Sequence, residues 1–448
     1  MADEFTVKIE GFATPGCGIA RVDGQVVFVE GACPEDIVKI EITKKNKSYA
    51  NAKIVEIIEP SSHRIKPFCA MQKVCGACQL QFIDYDYQLE LKRQIVQDAM
   101  RNIGGLDILV NEVIKSPEIL EYRHKIQYPV SQTKVSKRIL AGYYKTGSHE
   151  LVNIKHCPIQ PKICDEIIDF IREKAFEFGV LGYNEKKHSG DLRHVVIRNS
   201  ALNGKNLVVL VVNASDVNKN IKKLADAIFE HFAEVSGVCV NFNTKKTNVI
   251  QGNISKCVAG RDFVVEKILG KSFKIGANTF FQVNPKSAEN IFKYVKDYIS
   301  SNFKKPTVLD AYAGITAFGI CVSEVCEKVV SVEENTQSCI MAEDCLKENG
   351  IDNVEINNMD AGEFFAKEKR KFDAIILDPP RKGCTKESLD NALKLSKGKI
   401  IYVSCNPATL ARDLKYLAEK GARVESVQPF DMFCHTYHVE NVAILSLI

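Results

Sequence analysis

No stretch of this chain stays apolar for long. The longest clean apolar run is Leu207–Val212, far short of the roughly 20 residues that a membrane-spanning helix needs. The opening segment MADEFTVKIEGFATPGCGIA contains no uninterrupted apolar core of secretory length, so an intracellular, cytoplasmic protein with no membrane partner is expected. A strong excess of one charge is missing too. Lys plus Arg number 60 and Asp plus Glu 56, for a formal net charge of +4. Hydrophobic residues at 45% and charged residues at 26% are ordinary globular values, which excludes collagen-like, coiled-coil and disordered classes. Neither an internal repeat of solenoid period nor a low-complexity tract is present. What remains is a 448-residue chain with room for roughly three ordinary domains.

Cysteine, by contrast, is plentiful at 16. In an intracellular chain these are free thiols, metal ligands or catalytic groups rather than a disulfide framework. Charge is unevenly spread. Residues 1–274 hold 39 basic and 32 acidic groups, a net +7, and residues 275–448 hold 21 and 24, a net −3. A basic front joined to a slightly acidic back points to a polyanion-binding part and a part with another task. The plainer reading is a solvated lysine-rich surface.

Periodicity divides the chain into three. Over 5–58, FTVKIEGFA, ARVDGQVVFVEG and DIVKIEIT alternate apolar and polar residues. Asp23-Gly24 supplies a hairpin turn, and KKNKSYANAKIVEIIEP ends at Pro60. This predicts a small β-barrel over 1–60, where Lys44, Lys45, Lys47 and Tyr49 could meet a phosphate backbone or simply form a basic hairpin. Residues 61–274 predict a mixed α+β domain. Its helices are DYQLELKRQIVQDAMRNIGG, ending at Gly104-Gly105, and NIKKLADAIFEHFAEV; its strands include VVIRNS, NLVVLVVNA and GVCVNFN. From about 306, strands PTVLDAYAG, KVVSVEEN, NVEINNMD, FDAIILDPP, KIIYVSCNP, RVESVQPFD and NVAILSLI alternate with helical stretches. That pattern predicts a mostly parallel, doubly wound, Rossmann-like sheet over 275–448, with functional loops at the carboxyl ends of its strands.

Three strand ends carry chemistry. The first ends in Asp310-Ala311-Tyr312-Ala313-Gly314, and Glu333 ends the second about 20 residues later, the spacing at which an acidic residue takes ribose hydroxyls. Gly314-Ile315-Thr316-Ala317 is too glycine-poor for a dinucleotide pyrophosphate, whereas S-adenosylmethionine has adenosine without phosphate and suits such a loop. Another strand ends in Asp378-Pro379-Pro380-Arg381, a stiff lip that fixes a carboxylate in the cleft. The aromatic ring that amino-group methylases carry after Pro-Pro is replaced by Arg381. A third ends in Ser404-Cys405-Asn406-Pro407, which sets a thiol over the cleft as a nucleophile. Pyrimidine C5 chemistry needs that thiol: addition at C6 makes C5 nucleophilic, and a base must afterwards remove the C5 proton. Glu440 is a candidate for that base, with His435 and His438 as rivals. Upstream, Cys69, Cys75 and Cys78 form a cluster whose soft thiolates suit zinc or an iron–sulfur centre. The best fourth ligand is Cys157, with Cys164 as runner-up.

Together these motifs resemble the RNA 5-methyluridine methyltransferase family, and within it the iron–sulfur branch acting on 23S ribosomal RNA. The resemblance covers essentially the whole chain. It implies an α/β multidomain protein with three parts: an OB-like TRAM barrel over 1–60 that binds RNA, a central domain over 61–274 with a metal cluster and an RNA-binding surface, and a class I methyltransferase domain over 275–448. The helix over 85–105 is expected to pack on the last of these. The resemblance further implies a [4Fe-4S] cluster on Cys69, Cys75, Cys78 and Cys157, and S-adenosyl-L-methionine held by Gln282 (in Phe280-Phe281-Gln282-Val283-Asn284), Tyr312, Glu333 and Asp378, with Asp360 near the adenine. Cys405 is its nucleophile and Glu440, in His438-Val439-Glu440, its proton-abstracting base. One departure stands out. Family members often carry D-x-[FY]-C-G-x-G-x-F after the first strand, and here Ala313 and Thr316 replace the Cys and the second Gly.

The expected activity is therefore methylation of uridine C5 in 23S rRNA, with RNA as partner and no obligate protein partner. Two alternatives stand beside it. Cytosine-C5 RNA enzymes use two cysteines, one after a proline; Cys384 is near, but the chain has no Pro-Cys pair. A non-catalytic RNA-binding or assembly factor with a relict methyltransferase fold is supported only by the altered loop at 315–317.

Overall fold

Alternating side chains curl the first segment of the protein, a computed structural model describing residues 3–447, into a barrel-like sheet. Its strands are Glu4–Lys8, Gly11–Ala13, Cys17–Val22, Gln25–Glu30, Ile37–Lys45 and Tyr49–Glu59. Val27, Val29, Val38 and Ile40 fill the interior. Asp23 and Gly24 form a two-residue turn with φ of 49° and 80°, the left-handed pair that a type I′ hairpin requires. Of the basic tract, Lys44, Lys45, Lys47 and Tyr49 are all exposed, and Lys45 is already paired to Asp3 at 2.6 Å.

Residues 60–84 carry no regular strand or helix and are held by side chains. Leu80, Phe82 and Ile83 pack between Phe12 and Cys33 of the barrel and Leu91 and Ile95 of the following helix. That helix, Tyr85–Ala99, starts where the Asp84 carboxylate accepts the Tyr87 N–H at 3.0 Å. It runs on through a wider turn, Met100–Gly104, and stops at Gly105, whose φ of 62° ends it. Val96, Ala99 and Met100 on another side enter the core of the C-terminal sheet.

The middle of the chain builds a second sheet of seven strands. In spatial order they are Ile254–Gly260, Val235–Phe242, Asn206–Val212, Leu192–Asn199, Lys125–Gln132, Ile139–Tyr144 and Leu151–Asn153. The last three are not legible in the sequence: Pro129 stands within the first, Gly142 within the second, and the third has only three residues. Asn206–Val212 explains the longest apolar run. Val208, Leu210 and Val212 face helices Lys162–Glu177 and Lys219–His231, while Leu207, Val209 and Val211 face the other way. A strand buried on both faces has no polar side. The second face joins Val264 and Phe273 of the hairpin Phe263–Ile268/Lys271–Gly276, and through them helix Pro285–Asn302 and the C-terminal sheet. Apolar packing therefore continues across residue 274.

The C-terminal sheet also has seven strands. In spatial order they are Val354–Asn358, Lys328–Glu333, Thr307–Ala311, Phe372–Leu377, Ser396–Ser404, Glu440–Leu447 and Ala422–Phe430. Glu440–Leu447 alone runs against its neighbours. Strand order reverses beside Thr307–Ala311, so the crevice lies at the carboxyl ends there. Among the described residues no helix is long and apolar enough to cross a membrane.

Candidate active site

Sheet register brings the thiol and the carboxylate together. Ser404 lies opposite Asn441 in the antiparallel pair of Ser396–Ser404 and Glu440–Leu447. The next step along each strand is Cys405 and Glu440, so both leave the sheet at one edge. Asn441 Nδ2 donates to Ser404 O at 3.2 Å and closes that corner. Asn406 stops the strand and caps helix Pro407–Glu419 by accepting the Ala408 N–H at 3.1 Å. Cys405 is thus held between a strand end and a helix start, half-buried.

The charges around the thiol are arranged in opposition. Burial pushes the Cys405 thiol up to about 11; the Glu440 and Asp378 carboxyls add to the rise and the Arg381 guanidinium opposes it. Glu440 is buried, and burial together with Asp378 holds it well above the usual carboxylate range, again against Arg381. Burial likewise lifts Asp378 to about 7. Two raised carboxyls, a raised thiol and one cation in a cleft are a site tuned for proton transfer. Arg381 was read from the sequence only as a missing aromatic ring; its place beside the thiol and the carboxylate needed the fold. Asn406 Nδ2 and Thr409 Oγ1 both donate to its backbone carbonyl, at 3.3 and 3.2 Å, and tie the lip to the helix that follows Cys405.

The rival bases separate clearly. His435 is buried with Nε2 on Ile119 O at 3.0 Å and Nδ1 on Gln88 Nε2 at 3.3 Å, so both ring nitrogens are occupied by structure. His438 faces Arg381, and burial with that cation lowers it to about 4, leaving a neutral ring. Cys384 is buried against Tyr312 and Tyr402, its N–H donated to Asp413 at 2.9 Å, and is not among the groups that face Cys405.

The turn after Thr307–Ala311 forms the other wall. Tyr312, Gly314 and Thr316 all have positive φ, at 63°, 57° and 61°. Glu333 accepts the Gly314 N–H on one carboxylate oxygen at 2.9 Å and the Asn335 N–H on the other at 2.8 Å. Asp310, buried beneath, accepts the Gly319 N–H at 2.9 Å and is lifted to about 7 by burial. Its second oxygen and the Thr316 hydroxyl are buried without partners. Asp360 caps helix Ala361–Lys367 through the Glu363 N–H at 3.1 Å. Half-buried Gln282 is held between Phe281, in the core, and Asn284, which caps helix Pro285–Asn302 by accepting the Ser287 N–H at 3.1 Å. A less glycine-rich loop therefore still makes a tight turn, with Glu333 holding its backbone and two unpartnered polar atoms buried beneath it.

The cysteine cluster assembles away from this cleft. Cys69, Cys75, Cys78 and Cys157 line one cavity with Tyr143 and Ile154. Cys164 does not join it; its thiol points to Asn206 Oδ1 at 3.9 Å. Among the described residues no three His, Cys, Asp or Glu side chains stand close enough to hold a single ion. The Arg123 guanidinium faces Cys78 and Cys157 beside this cavity.

In chain order within the sheet, the C-terminal strands lie 3-2-1-4-5-7-6 with only the seventh reversed, the class I methyltransferase fold. The comparisons give the family. A family model described as tRNA (Uracil-5-)-methyltransferase matches residues 200–447, and a TRAM domain model matches residues 3–55. An uncharacterized RNA methyltransferase of Clostridium tetani is 36% identical over 445 residues, covering 99% of this chain and 96% of that protein. One from Gloeobacter violaceus is 38% identical over 443 residues, covering 98% and 96%. The crystal structure of Pyrococcus abyssi tRNA (uracil-54, C5)-methyltransferase in complex with S-adenosyl-L-homocysteine is similar at a TM-score of 0.79 and 27% identity, covering 98% of this chain and all of that one. The chain belongs to the tRNA (uracil-5-)-methyltransferase family of RNA-modifying enzymes.

Proposed function

We propose that the protein methylates C5 of a uridine in 23S rRNA with S-adenosyl-L-methionine as donor. The observation that carries the chemistry is the pairing of Cys405 with Glu440 across the sheet edge, beside Asp378 and Arg381. Cys405 Sγ adds to C6 of the uracil, which makes C5 an enolate carbon that attacks the donor's methyl group. Glu440 then takes the C5 proton, the C5–C6 double bond reforms, and the thiolate leaves. A carboxylate raised by burial is a stronger base than an exposed one. Gln282, Tyr312, Glu333 and Asp378 hold the donor, Glu333 at its ribose hydroxyls. The base must leave its stack to reach the thiol, so looped RNA in the cytoplasm is the substrate.

The four cysteines of the cavity hold a [4Fe-4S] cluster in this reading. Such a cluster supplies iron–thiolate bonds that tie residues 69–78 to Cys157, and no step of the methylation uses its electrons. The exposed lysines of the barrel and the net charge of the front half support RNA as the partner. A second reading keeps the chemistry and changes the RNA: the similar solved enzyme is named for a tRNA uracil. The test uses 23S rRNA and tRNA transcripts carrying tritium at uracil C5, with wild type and Cys405→Ser compared under anaerobic conditions. Tritium released by wild type alone, from 23S rRNA, is expected. Release from tRNA alone moves the target. Methyl transfer without release rejects C5 chemistry, and no transfer to either RNA favours a binding factor.

A further inference from the structure

The loop that carries Glu440 hangs from a distant helix by a fully buried ion pair. Lys92 and Asp431 side chains are both 0% exposed, and Lys92 Nζ donates to Asp431 Oδ1 at 2.5 Å and to Phe433 O at 3.0 Å. Tyr85 OH donates to Asp431 Oδ2 at 2.8 Å. Gln88 reaches His435 Nδ1 at 3.3 Å. Tyr85, Gln88 and Lys92 are spaced i, i+3, i+7 and so present one face of helix Tyr85–Ala99. Asp431 is the first residue after strand Ala422–Phe430, and the loop 431–439 that it begins ends at Glu440, whose strand partner is Phe430. The backbone of Asp431 is also fixed at both ends: its N–H donates to Ile114 O at 2.9 Å and its carbonyl accepts Ser287 Oγ at 2.9 Å. Neither residue takes part in the proposed chemistry.

We propose that Lys92 is a positioning residue for the proton-abstraction step: by neutralising and anchoring Asp431 it fixes the loop that aims Glu440 at uracil C5. This rests on the reading of Glu440 as the base. Most groups used before proton removal sit on other elements. Cys405 and the donor-binding turn lie at the ends of the parallel strands, which make no hydrogen bond to Lys92. Only the Gln282 segment meets the loop, where Asn284 Nδ2 donates to Met432 O at 3.3 Å. With Lys92 replaced, an unpaired carboxylate remains in a dry site and the loop relaxes, while donor binding, thiol addition and methyl transfer continue. The C5 proton then stays on the methylated ring, the C6–S bond to Cys405 does not break, and a covalent enzyme–RNA species builds up.

The experiment compares wild type, Glu440→Gln, Lys92→Met and Tyr85→Phe on uridine RNA tritiated at C5, reading tritium release, denaturant-stable enzyme–RNA adduct and donor affinity by calorimetry. Lys92→Met is expected to slow release about ten- to hundredfold, to keep the donor affinity and the KM for RNA, and to accumulate the same methylated adduct as Glu440→Gln. Tyr85→Phe, which removes the hydrogen bond to Asp431 and the one accepted from the Ser116 N–H but keeps the ion pair, covers the case in which Lys92→Met does not fold; it is expected to show a smaller slowing with the same adduct. Release at the wild-type rate in both variants overturns the proposal, as does an equal loss of release, adduct and donor binding. If Glu440→Gln forms adduct and the Lys92 and Tyr85 variants do not, positioning fails alone. If wild type releases no tritium and Glu440→Gln forms no adduct, the reading of Glu440 fails first and the proposal with it.

Discussion

Cys405 is a weak nucleophile at rest, because burial and two carboxyls hold its proton and only Arg381 opposes them. The sign of each effect can be read by alkylation. Iodoacetamide attacks the thiolate, so its rate at Cys405 should climb about tenfold per pH unit from pH 7 to 10, with no plateau below the thiol's value of about 11. Arg381→Ala removes the group that lowers this value. The thiolate fraction then falls, and alkylation at pH 8 should slow roughly three- to tenfold. An equal or faster rate in Arg381→Ala would show that the guanidinium does not act on the thiol. The residue types of this site were legible in the sequence, since a Cys at a strand end and a Glu before the last strand announce themselves. Arg381's role was not, because a charge beside a thiol is a fact of the assembled lip.

The strand-to-helix turn Tyr312–Thr316 shows how an element tolerates a poor sequence. Thr316 stands where the family resemblance expects a glycine, and it adopts a φ of 61° with a buried, unpartnered hydroxyl. A β-branched residue in the left-handed region is strained by roughly 1–2 kcal/mol. Thr316→Gly should therefore stabilise the protein by about 1 kcal/mol in thermal or urea unfolding, with donor binding retained. A clear loss of stability would mean that packing of the Thr316 methyl outweighs the relief. Most elements of this domain were readable because parallel strands buried on both faces are short apolar runs between helices. The strands between 125 and 153 were not, since Lys125–Gln132 joins the sheet by pairing with the distant Leu192–Asn199 and carries Pro129, and Leu151–Asn153 is only three residues long.

At the scale of the whole molecule, the parts are joined rather than strung. The barrel meets the helix Tyr85–Ala99 through Leu80, Phe82 and Ile83, and the same segment reaches the loop 431–439, where the Leu80 N–H donates to His435 O at 2.9 Å. The cysteine cavity is lined by this segment and by Tyr143, Ile154 and Cys157 of the central part, so a cluster there would brace residues 69–78 against the central sheet. Anaerobic reconstitution with iron and sulfide checks it. Wild type should bind close to four irons and show a broad charge-transfer absorption; Cys157→Ser should lose both, and Cys164→Ser should keep both. Equal loss in the two variants would move the fourth ligand away from Cys157.

Composition and periodicity were enough by themselves to determine the strand-built first segment and the doubly wound C-terminal sheet, because each depends on local pattern: alternation for the first, strand–helix repetition for the second. Tertiary structure alone decided which groups meet. The register that sets Cys405 against Glu440, the exclusion of Cys164 from the cavity and the bond between Lys92 and Asp431 all join residues far apart in the chain. Contacts of that kind are selected by the packing of whole sheets and helices, and a one-residue change in register of the last strand would turn Glu440 to the opposite face from Cys405.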